Sequence, residues 1–399
     1  MSFFKPAPWS HSLPYALLLM APFDILASLA MDIYLPVVPA MPAVLATTPG
    51  VVQLTLSLYM VTLGLGQLAF GPLCDRFGRR PVLLGGALLY ALASLLLAAG
   101  SDATAFVVLR VAQAAGASAM LVATFATVRD VYAERPEGAV IYSLFGSMLA
   151  FVPALGPIVG ALIAELAGWR AIFLTLAALA AVALGQALLR WPETRPAAPP
   201  AGGPGPGTIL ASARFWTYTL GFAAAMGAFF VYFSTAPRVL IERAGHASTG
   251  FSLLFGSVAV VMIVTARFVR PLVARHGAAG MLARGMLVML AGAGFLAFGA
   301  LTAAPSFWSF VLPMWLVGVG IVFTSAVAAN GALAEFGDAA GLAVALYFAI
   351  QSVVVGAAGT LAVIALGGDT AWPLVGFIAV AAGTVLAALA RLAQRGAAP

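Results

Sequence analysis

Asp24, Asp32 and Arg110 are the residues of this 399-residue chain best placed to do chemistry. Each lies within a long apolar stretch, the two acids in residues 13–36 and the arginine in residues 104–127. A charge inside a membrane costs at least about 2.5–3.5 kcal/mol on insertion scales, so such groups normally face a cavity or a partner. Asp24 and Asp32 are eight positions apart, which on one helix is a rise of ~12 Å and an angular offset of only ~80°. Both can line one cavity at different depths. Burial disfavours a charged carboxylate and a nearby guanidinium favours it. An acid balanced between the two can take a proton on one side and release it on the other. That is the chemistry of a proton-coupled carrier, and it needs neither metal nor nucleophile. Gln113 lies three residues beyond Arg110 and shares its helix face. The alternatives are structural pairing for Asp24 and Arg110, and, were the first helix to end early, a snorkelling side chain for Asp32.

The elements that must position these groups are long apolar helices. The chain is 63% hydrophobic and only 8% charged, against about 25% charged in soluble domains. A hydrocarbon core about 30 Å thick needs roughly 20 helical residues. On that ruler, spans are expected at 13–36, 50–71, 82–99, 104–127, 138–163 and 169–190. A second set follows at 214–236, 251–270, 280–300, 306–328, 339–365 and 371–391. The prediction is an all-α polytopic membrane protein of twelve transmembrane helices in two six-helix bundles, residues 1–191 and 214–399. Residues 192–213, rich in Pro, Ala and Gly, read as a tether between them. Twofold architecture of this kind places the binding site where the halves meet.

Charge and cysteine usage exclude other classes. The net charge of +6 comes from scattered arginines and one lysine, which is an orientation signal and not a nucleic-acid patch. With both termini inside, fifteen basic residues face the cytoplasm, three (Arg170, Arg238 and Arg243) face outward, and Arg110 stays in the membrane. A multi-pass protein of the cytoplasmic membrane is expected. Lys5 and His11 precede an apolar run reaching about Val38, too long for a secretory signal, so this is read as a retained first span. Cys74 is the only cysteine, so no internal disulfide can form. His11, His246 and His276 have no metal-ligand spacing, and neither a nucleophile elbow nor a phosphate loop occurs. An enzyme is not expected, and no cofactor is needed.

Between the second and third spans lies Gly71-Pro72-Leu73-Cys74-Asp75-Arg76-Phe77-Gly78-Arg79-Arg80-Pro81. It is expected to be a short loop that turns the chain outside the lipid, with Gly71 and Gly78 allowing tight backbone and the prolines bracketing the break. The run resembles the G-x-L-x-D-R-x-G-R-R loop signature of the major facilitator superfamily. Arg110 through Gly116 resembles the fourth-helix R-x-x-Q-G-x-G pattern, with Ala114 and Ala115 before a single glycine. Gly146, Pro153, Gly156, Pro157 and Gly160 resemble the antiporter motif of span five, which favours an exporter. Asp32-Ile33-Tyr34-Leu35-Pro36 resembles the first-helix signature of the bicyclomycin/chloramphenicol branch of drug:proton antiporters, and the stretch from Pro22 to Asp32 is similar to phenicol exporters.

The resemblance implies proton-coupled efflux of chloramphenicol- or florfenicol-type drugs by a monomeric carrier, with Asp24, Asp32 and Arg110 as coupling residues. Its partners would be drug, protons and the lipid bilayer. An exporter of the same fold with another substrate is the alternative. The resemblance also implies a gate in which Asp130 meets Arg79 or Arg80, Asp75 faces the helix start near Asp338–Ala339, and Arg76 flanks them. Such exposed pairs would only bias two near-equal states. A neutral, amphipathic phenicol suits an aromatic cleft with a few polar handles. The handles would be Asp24, Asp32, Gln113, Tyr59 and Gln351. The walls would include Phe125, Phe151, Phe230, Tyr232, Phe233, Trp315 and Tyr347.

Overall fold

Proline and threonine at helix starts, apolar runs longer than a bilayer is thick, and glycine at the reversals determine the architecture. The computed structural model describes residues 9, 11–132, 135–195, 205–336 and 340–396, among which no strand occurs. The first helices are α1 (Leu13–Asp32), a short α2 (Met41–Val44), α3 (Pro49–Phe77), α4 (Arg79–Ala99) and α5 (Ala103–Tyr132). They are followed by α6 (Pro136–Ala167), α7 (Trp169–Arg190), a short α8 (Pro206–Ala211) and α9 (Ala213–Pro237). The last are α10 (Ser248–Thr302), α11 (Leu312–Leu333), α12 (Ala340–Leu366) and α13 (Trp372–Gly396). Ten helices among the described residues are long and apolar enough to cross a membrane. The 55-residue α10 is non-helical at Gly277 and so supplies two spans, and Val152–Ala167 is an apolar stretch of α6. Among the described residues the molecule is therefore all-helical, with twelve spans when α10 is counted as two and the apolar stretch of α6 as one.

Two compact units divide the chain, Met1–Ala201 and Gly202–Pro399. Both follow one plan. Every described residue with positive φ has a counterpart at one constant interval along the chain: Ala46 with Gly245, Gly78 with Gly277, and Gly168 with Gly367. Gly86 and Gly285 are separated by the same interval, and each lets two helices touch through their backbones. A Cβ on Gly86 would lie 2.8 Å from the Gly116 carbonyl, and one on Gly285 would lie 2.9 Å from the Gly320 carbonyl. Small residues at such crossings replace the hydrophobic drive that helix pairing lacks in lipid. The turn sequence repeats as well, since Pro72, Leu73, Arg76 and Gly78 match Pro271, Leu272, Arg275 and Gly277. Asp75 and Arg79, however, are matched by Ala274 and Ala278.

Two expectations are corrected here. The loop 71–81 is not a loop. α3 runs through Pro72 to Phe77, and the chain reverses at Gly78 alone, whose φ of 104° and ψ of 161° suit only glycine. α3 has 29 residues, about 44 Å of helix, so its last turns project beyond a hydrocarbon core about 30 Å thick. Cys74 is accordingly buried within a helix. The first span is also not one regular helix to residue 36: α1 stops at Asp32 and a 3-10 turn with Pro36 and Pro39 follows, within an apolar helical run that continues to Val44. Leucines 88, 92, 95 and 96 on α4 and Phe295 and Phe298 on α10 remain exposed, the apolar outer surface that lipid covers.

Candidate functional site

The two acids of α1 are inside the first unit, with only 6% of Asp24 and 5% of Asp32 exposed. Snorkelling is thereby ruled out for Asp32, although α1 does end there. Neither carboxylate has a hydrogen-bond or ion-pair partner among the described residues. Between them, α1 is gripped by three other helices. The Tyr90 hydroxyl of α4 donates to the Leu26 carbonyl (2.9 Å), and the Tyr59 hydroxyl of α3 donates to that of Ala27 (2.8 Å). Arg110 Nη1 of α5 donates to Ala30 O at 3.1 Å and to Gln113 Oε1 at 2.5 Å. Gln113 Nε2 donates to Ser94 Oγ, which donates to Tyr90 O (2.8 and 2.7 Å).

Arg110 is fully buried, yet it is not paired with either acid, contrary to the expected pull of its charge on them. Its guanidinium carbon lies 4.4 Å from the ring centroid of Tyr59 and 5.3 Å from that of Tyr34. A desolvated cation on an aromatic face gains about 2 kcal/mol, so two faces together offset an insertion cost of about 3 kcal/mol. Ring faces and two acceptors stand where a carboxylate was expected. Gln113 and Tyr59, expected to touch drug, are fully buried and held inside this network.

Asp32 is fixed from α6. A Cβ on Gly156 would lie 2.6 Å from Asp32 Cβ, and one on Gly160 would run into the Ile33 carbonyl. Pro153 and Pro157 lie within the same helix. The glycines of the expected antiporter motif thus let α6 lie directly on the end of α1 that carries the acid. Gly146 and Phe151 are side-chain positions outside the described residues.

The α3–α4 turn carries a charge cluster. Arg79 Nε donates to Asp130 Oδ2 at 2.6 Å, and its Nη1 reaches Asp75 Oδ1 and Cys74 O, each at 2.9 Å. The Arg79 and Asp130 side chains are only 3% and 5% exposed, so this pair is buried and not the exposed contact foreseen, whereas Asp75 is 61% exposed. Arg80 does not share Asp130; its Nη2 donates to Leu188 O. Arg76 lies over the Phe77 ring. Asp75 is paired within its own turn, and the expected contact near Asp338–Ala339 lies outside the described residues.

Glu193 is the residue of this cluster that the sequence did not reveal. Its carboxylate accepts from the backbone N–H groups of Arg79 (2.8 Å) and Arg80 (3.1 Å), capping the start of α4, and from those of Thr194 and Arg195. A helix start favours an anion. A Cβ on Gly78 would collide with that carboxylate. Arg195 Nη1 donates to Arg76 O at 2.7 Å. Residues 192–195, expected to open the tether, are instead docked on the first unit.

The remaining expected walls are distributed over several packed clusters. In the second unit Tyr232 stacks on Phe255 at 5.0 Å, Phe233 meets Phe255 edge-on, and Phe230 packs on Gly359. Tyr347 stacks on Phe222 at 5.1 Å, and its buried hydroxyl has no partner. One turn on, Gln351 accepts from the Ser352 hydroxyl. Trp315 Nε1 donates to Ser257 Oγ. In the first unit Phe125 is 37% exposed beside Phe145. A cavity of about 420 Å³ lies elsewhere in the second unit, between Phe310, Trp372, Arg243 and Asp369. None of the described expected walls borders it. Hydrogen bonds from Arg243 hold the Asp369 carboxyl below its ordinary range.

Twelve helical spans in two like-built units, with a charged turn after α3, match a known family over most of their length. A profile of the Major Facilitator Superfamily matches residues 23–360. The chain belongs to the major facilitator superfamily. It is 49% identical over 386 residues to a chloramphenicol resistance protein of Pseudomonas aeruginosa, covering 96% of this chain and 91% of that one. The multidrug resistance protein MdtL of Escherichia coli O157:H7 is 28% identical over 332 residues, 82% of each chain. Among solved structures, a D-xylose-proton symporter shares the fold at a TM-score of 0.74 and 17% identity, covering 94% of this chain and 97% of that one. A bacterial homologue of the human lysosomal transporter Spinster does so at 0.75 and 14% identity, covering 94% and 96%.

Proposed function

We propose that this transporter exports chloramphenicol-type antibiotics, florfenicol among them, from the cytoplasm in exchange for protons. The observation that carries the reading is the pair Asp24 and Asp32, two buried carboxylates on one helix with no partner among the described residues, in a chain 49% identical to a chloramphenicol resistance protein. An unpartnered acid can change protonation without breaking a salt bridge. Asp24, Asp32 and Arg110 are the coupling residues in this reading, and the Arg79–Asp130 pair steadies one of two alternating states. The carrier works as a monomer in the cytoplasmic membrane with both termini inside, and it needs no cofactor.

Each inward proton contributes about 1.4 kcal/mol per pH unit and about 2.3 kcal/mol per 100 mV. Exchange for a neutral drug moves net charge, so the membrane potential drives export as well. A broader multidrug range is the second reading, favoured by the resemblance to MdtL. Everted vesicles test the first. Accumulation of labelled chloramphenicol should collapse on adding a protonophore, and accumulation unchanged by protonophore would refute proton coupling. Cells expressing the chain should resist chloramphenicol and florfenicol. Equal resistance to unrelated cationic drugs would select the broader reading.

A further inference from the structure

We propose that Tyr59 is a positioning residue for proton coupling: its ring face holds the Arg110 guanidinium in place of a carboxylate and so leaves Asp32 free to exchange its proton. The inference rests on the proton-coupled reading above and adds to it the residue that keeps the two charges apart.

Three observations carry it. Arg110 is completely buried, its Nη1 is used by Ala30 O and Gln113 Oε1, and its Nε and Nη2 have no hydrogen-bond partner. A guanidinium so placed would ordinarily take a carboxylate, yet beyond those two hydrogen bonds the nearer of its two ring faces is that of Tyr59, at 4.4 Å. Asp32 is equally without a partner, and the Ala30 carbonyl that Arg110 uses lies two residues before it on α1, so the guanidinium and the acid share one end of that helix. Finally, the Tyr59 hydroxyl donates to the Ala27 carbonyl, which places the ring against the helix that bears the acid. The titratable and charged groups around Arg110 are Tyr34 after α1, Tyr59 on α3 and Tyr90 on α4, with Asp32 at the end of α1 as the acid nearest in sequence to the Ala30 carbonyl it uses. Removing the Tyr59 face leaves Asp32 as the acid to which Arg110 turns, and an acid held in an ion pair no longer cycles its proton.

The test uses the full-length protein with Tyr59→Leu, which removes the face, and Tyr59→Phe, which keeps it but removes the hydroxyl. Chloramphenicol efflux is measured in proteoliposomes across a range of pH. Thermal stability is measured in detergent for the same variants, alone and combined with Arg110→Met. Tyr59→Leu should lower efflux at least tenfold and flatten its pH profile, and Tyr59→Phe should restore both to within about twofold of wild type. The Tm loss of Tyr59→Leu should largely vanish in the Arg110→Met background, because the partner is already gone. Equal effects of Leu and Phe, or a Tm loss undiminished by Arg110→Met, would overturn the proposal. Should wild type show no proton-driven efflux while the stability cycle is non-additive, the cradle stands and the transport reading falls.

Discussion

Asp130→Asn tests whether the charge cluster at the α3–α4 turn is a buried structural pair. Arg79 and Asp130 are 3% and 5% exposed and meet at 2.6 Å. Removing one partner of such a pair strands the other charge, an effect of about 3–5 kcal/mol when nothing substitutes. Here Asp75 still reaches Arg79, and asparagine can still accept from Arg79 Nε, so about 2–3 kcal/mol is expected. Asp75 is 61% exposed, and exposed pairs contribute about 0–1 kcal/mol. For a unit of this size each kcal/mol moves Tm by about 2–4 °C. Asp130→Asn should therefore lower Tm by about 4–12 °C, and Asp75→Asn by at most about 4 °C. The assay is thermal unfolding of the purified protein in detergent at one scan rate, since such transitions are often irreversible. Equal losses for the two variants, or no loss for Asp130→Asn, would refute the assignment of burial and partner.

Gly160→Ala should abolish efflux and lower Tm, because its methyl must displace the Ile33 carbonyl beside Asp32, an overpacking penalty of about 1–3 kcal/mol. Gly185→Ala, where a Cβ meets nothing, is the control, and normal efflux by Gly160→Ala would contradict the packing of α6 on α1. Ala46 has a φ of 46° where its counterpart is Gly245, so Ala46→Gly should raise Tm slightly, by the relief of about 1 kcal/mol of left-handed strain. Asp369 is held below its ordinary range by Arg243, so the pair stabilises above about pH 4 and weakens as pH falls through the depressed value. Asp369→Asn should lower Tm at pH 7, with the difference from wild type shrinking as pH falls further below about 4, and a difference that stays constant through acid unfolding would argue against the pair.

Much of the fold was legible because apolar run length alone marks a membrane helix. The runs around Asp24, Asp32 and Arg110 do form α1 and α5, and the three residues are buried there. Hydropathy does not see contacts, and the misses follow from that. The turn at 71–81 read as a loop because charge interrupts the apolar run, yet helix continues through charged residues outside lipid and a single Gly78 makes the reversal. Opposite charges suggested that Arg110 would meet an acid. In a desolvated interior two tyrosine faces serve as well, and no spacing rule links Tyr59 to Arg110. Glu193 was hidden for the same reason: it caps a helix that begins more than a hundred residues earlier. The aromatic walls were chosen by residue type, which does not tell a ring stacked on Phe255 from one facing a ligand.

The most direct measurement is drug-induced proton movement by the purified protein in proteoliposomes carrying an internal pH dye. An imposed chloramphenicol gradient should drive an opposite flow of protons in the wild type, and Asp24→Asn and Asp32→Asn should each reduce that flow at least tenfold. Chloramphenicol crossing at wild-type speed with no pH change, or proton flow undiminished in both variants, would contradict the account.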